Sequence, residues 1–141
     1  METAVRYLED GRAVPVPTEL SRGFWEAAMR HVLVRPVCAD CGRSFFTPQI
    51  ACPECLSERW SWTPSSGKGH VYSFTVCHRA PTPGLEVPYI LAIVDLEEGW
   101  SMLSNVEGCS PDDVRIGLEV EVGWKPLADV VLPVFTPVTS K

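Results

Sequence analysis

The sequence contains no apolar run near the ~18 residues that a membrane span requires. Its longest, Pro88-Tyr89-Ile90-Leu91-Ala92-Ile93-Val94, has the length of a strand. The opening residues Met1-Glu2-Thr3-Ala4-Val5-Arg6 lack the basic-then-apolar layout of a secretion signal, so a cytoplasmic location is expected, with no membrane partner. Positive charge is scarce: 12 Lys and Arg face 18 Asp and Glu, for a net charge of -6. That balance argues against a protein that works by neutralising phosphates. There are only 3 histidines, and no nucleophile–base–acid set is apparent, which weighs against a stand-alone hydrolase. No internal repeat or low-complexity tract is present. What remains is a chain of 141 residues, 45% hydrophobic and 21% charged, enough for one ordinary domain or two small modules.

Six cysteines in such a chain are read as metal ligands or free thiols before disulfides. Four form two C-x-x-C pairs, Cys38-Ala39-Asp40-Cys41 and Cys52-Pro53-Glu54-Cys55. Two residues between ligands let a tight turn aim both thiolates at one ion, and two such turns face to face make a tetrahedral sulfur cage. Zinc or a single iron, as in rubredoxin, would suit this cage. A full set of four thiolates leaves no open position for water or substrate, so the ion is expected to be structural. Phe45 and Phe46 are expected to cover one side of it. Gly42 suits a left-handed position after the first knuckle; the equivalent place after the second holds Leu56-Ser57, at a cost of about 1 kcal/mol if the backbone is left-handed there. Cys77 and Cys109 stand alone, the first read as a buried thiol and the second as a loop thiol.

The rest of the chain divides around this ribbon. Residues 1–34 are read as an arm followed by a helix, 35–62 as the ribbon and 63–141 as a barrel. From Ser21 to about Val34 the apolar residues Phe24, Trp25, Ala28, Met29 and Val32 draw one helical stripe, with Pro36 as the expected stop. That stripe must lie on the rest of the protein or on a partner. Strand patterns follow at Gly67–Arg79, Tyr89–Leu96 (read as buried on both faces), Trp100–Val106, Leu118–Trp124 and Leu132–Phe135. The turn Glu97-Glu98-Gly99 makes a hairpin of the second and third. So many strands in so short a stretch fit a five-stranded OB-fold barrel better than a sandwich. The expected class is mainly β: an amphipathic helix, a rubredoxin-like four-cysteine ribbon and a C-terminal OB-fold barrel.

The order of several segments is itself informative. Phe24-Trp25-Glu26-Ala27-Ala28, the two cysteine knuckles, Ser66-Gly67-Lys68-Gly69-His70-Val71-Tyr72-Ser73-Phe74, Pro88–Leu96, Leu103-Ser104-Asn105-Val106, Ile116–Val120 and Leu132–Phe135 follow one another as in a single family. Over about residues 22–137 the chain resembles the DUF35 family of zinc-ribbon and OB-fold proteins associated with acyl-CoA enzymes. The resemblance implies an accessory subunit of a thiolase-superfamily enzyme: a thiolase, an acyltransferase or a steroid side-chain aldolase. It implies structural Zn2+ on Cys38, Cys41, Cys52 and Cys55, contact area for a thiolase-like large subunit from Phe24, Trp25, Ala28, Met29 and Val32, and acyl-CoA at or near the interface. It supplies no catalytic residue.

Among the remaining polar residues, His78 and Arg79 are the best candidates for meeting a CoA phosphate, since they end a strand at a barrel mouth. His31 and His70 read as surface or capping groups. Ser65-Ser66-Gly67-Lys68-Gly69 departs from Gly-x-x-x-x-Gly-Lys-Ser/Thr and reads as a turn into the barrel. Asp112-Asp113 reads as a helical turn after Pro111. Trp60 and Trp62 alternate on a strand, as core or interface residues. The rival function is nucleic-acid binding, which zinc ribbons and OB barrels both perform. From Gly67 to Lys141, however, five bases stand against ten acids, the wrong sign for a phosphate groove.

Overall fold

Among the described residues, short β-branched and aromatic runs separated by glycine and proline turns become nine strands and one α-helix. The computed structural model describes residues 5–138. β1 (Val5–Tyr7) and β2 (Ala13–Pro15) form an antiparallel hairpin, followed by α1 (Arg22–Met29). β3 (Val34–Cys38) and β4 (Trp60–Pro64) pair antiparallel and hold the cysteine segment between them. β5 (Lys68–Cys77), β6 (Tyr89–Leu96), β7 (Trp100–Val106), β8 (Glu119–Leu127) and β9 (Val130–Pro137) close into a barrel in the order β5-β6-β7-β9-β8. All neighbours are antiparallel except β7 and β9. This is the expected five-stranded OB-fold arrangement.

β5 closes the barrel because it serves two partners. It pairs with β8 at Lys68–His70 and with β6 along its length, and the register shifts between Val71 and Ser73. A bulge at Tyr72 supplies the bend that a strand turning a barrel corner needs. Gly69 is required at this corner, since a Cβ would sit 2.2 Å from the Asp95 carbonyl oxygen. Inside, Phe135, Val71, Val94 and Val120 are wholly buried. The helical turn expected after Pro111 is the 3-10 turn Pro111–Asp113, which Ser110 caps by accepting a hydrogen bond from the Asp112 amide.

Four expectations need correction. Residues 5–15, read as part of an arm, form a hairpin; Val14 is buried against Leu127 and Val130 at the far end of the chain, which no local pattern reveals. The helix ends at Met29 and does not reach Val34. His31 takes a left-handed φ of 59°, and its amide bonds the Ala28 carbonyl, so the stop precedes Pro36 by a full turn. Pro36 sits within β3, and Val32 lies in the connection. β6 is not buried on both faces: Ile90, Ala92, Val94 and Leu96 point inward, while Leu91 and Ile93 face outward and are partly exposed. β9 runs from Val130 to Pro137, longer than the expected segment at both ends.

Aromatic rings join ribbon to barrel. Phe24 of α1 lies 5.3 Å from Phe46 and 6.2 Å from Trp62, and Phe46 lies 5.4 Å from Trp100 of β7 (ring centroids). On the ribbon side Trp62 meets Trp60 at 5.3 Å, and Trp60 meets Phe45 at 5.8 Å. Phe45 packs on the buried Cys38 and Cys52, as expected. Phe46, its neighbour, lies in a bend and turns away from the cage toward the barrel, where it meets Trp100.

Candidate functional site: a sulfur cage beside an apolar groove

The two knuckles meet where the sequence places them. The Sγ atoms of Cys38, Cys41, Cys52 and Cys55 all lie within 4.8 Å of one another. Cys38 and Cys55 are 3.6 Å apart, and Cys41 and Cys52 are 3.7 Å apart. A tetrahedron with metal–sulfur bonds of about 2.3 Å has edges of about 3.8 Å, so the cage has the size of a zinc tetrathiolate. Backbone amides already face the sulfurs: Cys41 N–H donates to Cys38 Sγ at 3.5 Å and Glu54 N–H to Cys52 Sγ at 3.4 Å. The Cys41 amide, with that of Asp40 and the neighbouring thiols, holds Cys38 down to about 6. The Ser57 amide favours the Cys55 thiolate, but Cys38, burial and the other thiols outweigh it and push Cys55 up to about 12. Four crowded sulfurs cannot all ionise unless a cation replaces their protons, and a dication inside the cage does so. Bound there, zinc supplies a structural cross-link with no vacant position for substrate.

A polar clasp lies across the knuckles. Asp40 of the first knuckle accepts hydrogen bonds from Ser57 Oγ and from the Arg59 guanidinium, both beyond the second knuckle. Arg59 is followed by β4, and its carbonyl accepts from the Ala39 amide at 2.7 Å. These bonds fix the approach of one knuckle to the other, and Arg59 and Ser57 together hold the Asp40 carboxyl down to about 2. Leu56 has a φ of 65° and is 76% exposed, so the left-handed cost anticipated from the sequence is present and no packing offsets it. Leu56→Gly is expected to raise the stability of the zinc-loaded protein by about 1 kcal/mol. Thermal unfolding with metal content held constant checks this; an unchanged or lower midpoint would show that the position is not strained.

Beside the ribbon an apolar groove of about 550 Å³ opens between α1, β7 and β9. Leu20, Trp25, Phe46, Leu103 and Leu132 are among its walls, and among the described residues no Asp, Glu, Lys, Arg or His lines it. The helix stripe is split by this arrangement. Phe24 and Ala28 are buried in the fold, Val32 is half-buried in the connection and Met29 is exposed. Trp25 packs edge-on against Phe24 at 5.1 Å and presents its other side to the groove.

With this geometry in hand, comparison with known proteins is decisive. Residues 25–61 match the family model of the ChsH2 rubredoxin-like zinc ribbon domain, and residues 62–125 match that of the ChsH2 C-terminal OB-fold domain. The chain belongs to the ChsH2-type DUF35 family. A DUF35 domain-containing scaffold protein of Methanothermobacter thermautotrophicus is 37% identical over 111 residues, covering 77% of this chain and 83% of that one. A benzoylsuccinyl-CoA thiolase subunit BbsA of Geobacter metallireducens is 37% identical over 90 residues, covering 64% and 60%. A probable enoyl-CoA hydratase alpha subunit of Thermomonospora curvata is 40% identical over 116 residues, 81% of this chain but only 36% of that longer protein. This DUF35 chain therefore spans about a third of the hydratase subunit it matches. Among solved structures, the Ltp2-ChsH2(DUF35) aldolase has a chain 36% identical to this one, with a TM-score of 0.81 over 88% of this chain and 98% of that one.

In this DUF35 protein the other candidates are scattered. His78 and Arg79 follow β5 in an exposed loop, away from both cage and groove. His31 stacks on Trp124 at 5.5 Å, and His70 faces Asp95 at 3.7 Å. The Ser65–Gly69 turn already holds a carboxylate: Glu98 accepts from Ser65 Oγ and the Ser66 amide, both at 2.6 Å, where a phosphate loop would keep its donors free. Cys77 is half-buried, not fully buried as expected, and Cys109, in a loop as expected, is half-buried against the core and not exposed. Burial, with Asp113 nearby, pushes the Cys109 thiol up. Sequence reading missed the groove residues on β7 and β9. In Ser101-Met102-Leu103-Ser104-Asn105 only strand parity separates the inward Met102 from the outward Leu103, and adjacent apolar letters hide it. No helix among the described residues is long and apolar enough to cross a membrane.

Proposed function

We propose that this protein is a non-catalytic accessory subunit of a thiolase-superfamily enzyme acting on acyl-CoA. It stabilises the large subunit and helps to shape the acyl-CoA channel, in retro-aldol or thiolytic carbon–carbon cleavage or in acyl transfer, with steroid or other lipid side-chain breakdown as the setting. The observation that carries this reading is the pairing of a coordinatively closed metal cage with an uncharged apolar groove. The first offers no chemistry, and the second is suited to a protein surface. The relatives support it, since one is a thiolase subunit and another is a DUF35 chain of an aldolase. In this reading Trp25 and Met29 are contact residues on the exposed side of the helix, while Phe24, Ala28 and Val32 hold that helix in place. His78 and Arg79 face CoA phosphates from the loop after β5.

Trp25→Ala is expected to leave the isolated chain folded with its zinc, yet to weaken assembly with the large subunit by about 2 kcal/mol, roughly 30-fold. Titration calorimetry against the large subunit, beside a melting curve of the free variant, measures both. Normal assembly would remove Trp25 from the interface; unfolding of the free variant would make it a core residue only.

A further inference from the structure

The barrel is closed unevenly. β6 and β7 pair at seven positions and β8 and β9 at eight, whereas β7 meets β9 only at Val106↔Phe135. There the Glu107 amide donates to the Phe135 carbonyl at 2.8 Å. That bond sets the parity of β7: odd-numbered residues aim their backbone groups toward β9, and even-numbered ones toward β6. Ser101 and Leu103 therefore point their N–H and C=O groups into the seam, beyond its only pair. Among the described residues no ladder pair joins either of them to β9. Pro133 has no N–H, and its carbonyl already accepts from Ser104 Oγ at 2.9 Å. Beyond Val106 the β7 edge thus has no ladder with β9.

The apolar groove lies along this seam, between Met102–Asn105 and Leu132–Val134. Leu103, at its lip, is 61% exposed, and Ile93, paired with it across β6, continues the apolar surface outward. The walls carry no charge on a chain of net charge -6. Charge matching therefore selects an occupant that is itself neutral where it enters. Unpaired strand hydrogen-bonding groups beside an apolar trough are the combination that strand addition uses: main-chain bonds give affinity, and alternate side chains fill the trough.

We propose that the edge of β7 at Ser101–Asn105 receives an extended, uncharged, apolar segment of the thiolase-like large subunit, which adds to the barrel as a strand. This rests on the accessory-subunit reading and names how that partner is held. Five residues of strand span about 16 Å, so a segment of four or five residues suffices.

Two measurements test it, both on the full chain co-expressed with an Ltp2-type large subunit from the same organism. In amide hydrogen exchange, Ser101 and Leu103 are expected to be slowed at least tenfold in the complex relative to the free chain. Leu103→Pro removes a donor that no ladder pair of the barrel uses, a position where an edge strand tolerates proline. This variant is expected to melt near wild type and to bind the large subunit at least tenfold more weakly, while Leu103→Ala, which keeps the donor, loses less. If Leu103→Pro does not fold, exchange on the wild-type complex decides alone. Formation of the complex with Ser101 and Leu103 exchanging at their free rates overturns the proposal and leaves the accessory-subunit reading standing. Failure to form any complex overturns both. Protection of the same amides in the free chain, together with a dimeric mass, assigns the edge to a second copy and overturns the proposal as well.

Discussion

Replacing Cys52 with serine is expected to release the metal and unfold the ribbon. Cys52 is wholly buried, and its sulfur stands 3.7 Å from that of Cys41, so no water or neighbouring side chain can take its place. A serine hydroxyl stays protonated at neutral pH and is a poor ligand for zinc beside three soft thiolates. Beyond the clasp of Asp40 with Ser57 and Arg59, the segment between β3 and β4 has a small core, in which Phe45 and Trp60 are the hydrophobic residues packed with Cys38 and Cys52. Structural zinc in a ribbon of this kind contributes on the order of 10 kcal/mol, so losing a ligand removes most of what orders the segment. Metal per chain is expected to fall from about one to near zero, with a drop of ~10 °C or more in the melting midpoint and poor soluble yield. A variant with full metal and a wild-type midpoint would refute the four-cysteine assignment.

Phe24→Ala is expected to cost about 3–5 kcal/mol, the usual range for emptying a buried aromatic site. Phe24 touches three rings, Trp25 on its own helix and Phe46 and Trp62 of the ribbon, and Phe46 in turn meets Trp100 of the barrel. The gap left behind cannot be filled from one side without opening another. Against a total stability of roughly 5–15 kcal/mol this is a large fraction. Chemical denaturation of the zinc-loaded chain gives the number. A loss below about 1 kcal/mol would show that the helix is held by something other than this seam. The contrast with Trp25→Ala matters, since one residue away the same substitution is expected to act on assembly and not on folding.

The parts of the fold carried by local chemistry were legible in the sequence. Cys-x-x-Cys spacing places four sulfurs without any knowledge of the fold, and Glu97-Glu98-Gly99 supplies the β6–β7 turn, with Gly99 at a φ of 88°. The alternation of Leu118–Trp124 gives β8 its wet and dry faces. What escaped reading depends on distant partners. Val14 is buried only because Leu127 and Val130 meet it, more than a hundred residues later. The helix stops at His31 because that residue takes a left-handed conformation, a role that composition would assign to glycine. The outward face of β6 looked buried because Leu91 and Ile93 are as apolar as their inward neighbours. Parity, not hydropathy, separates them. The groove was invisible for a related reason: it is lined by residues from four separate stretches of chain, of which only the helical stripe has a pattern of its own.

Phe46, Thr47 and Pro48 lie between the two cysteine knuckles and also form one wall of the groove. Their position is set by the ribbon, and the ribbon by its ion. Zinc is therefore a building condition for a surface that it never touches. A chain made under metal starvation would keep its barrel and lose a side of the groove. Cellular zinc supply would then act as a checkpoint on which copies can enter a complex, ahead of any reaction that the complex performs.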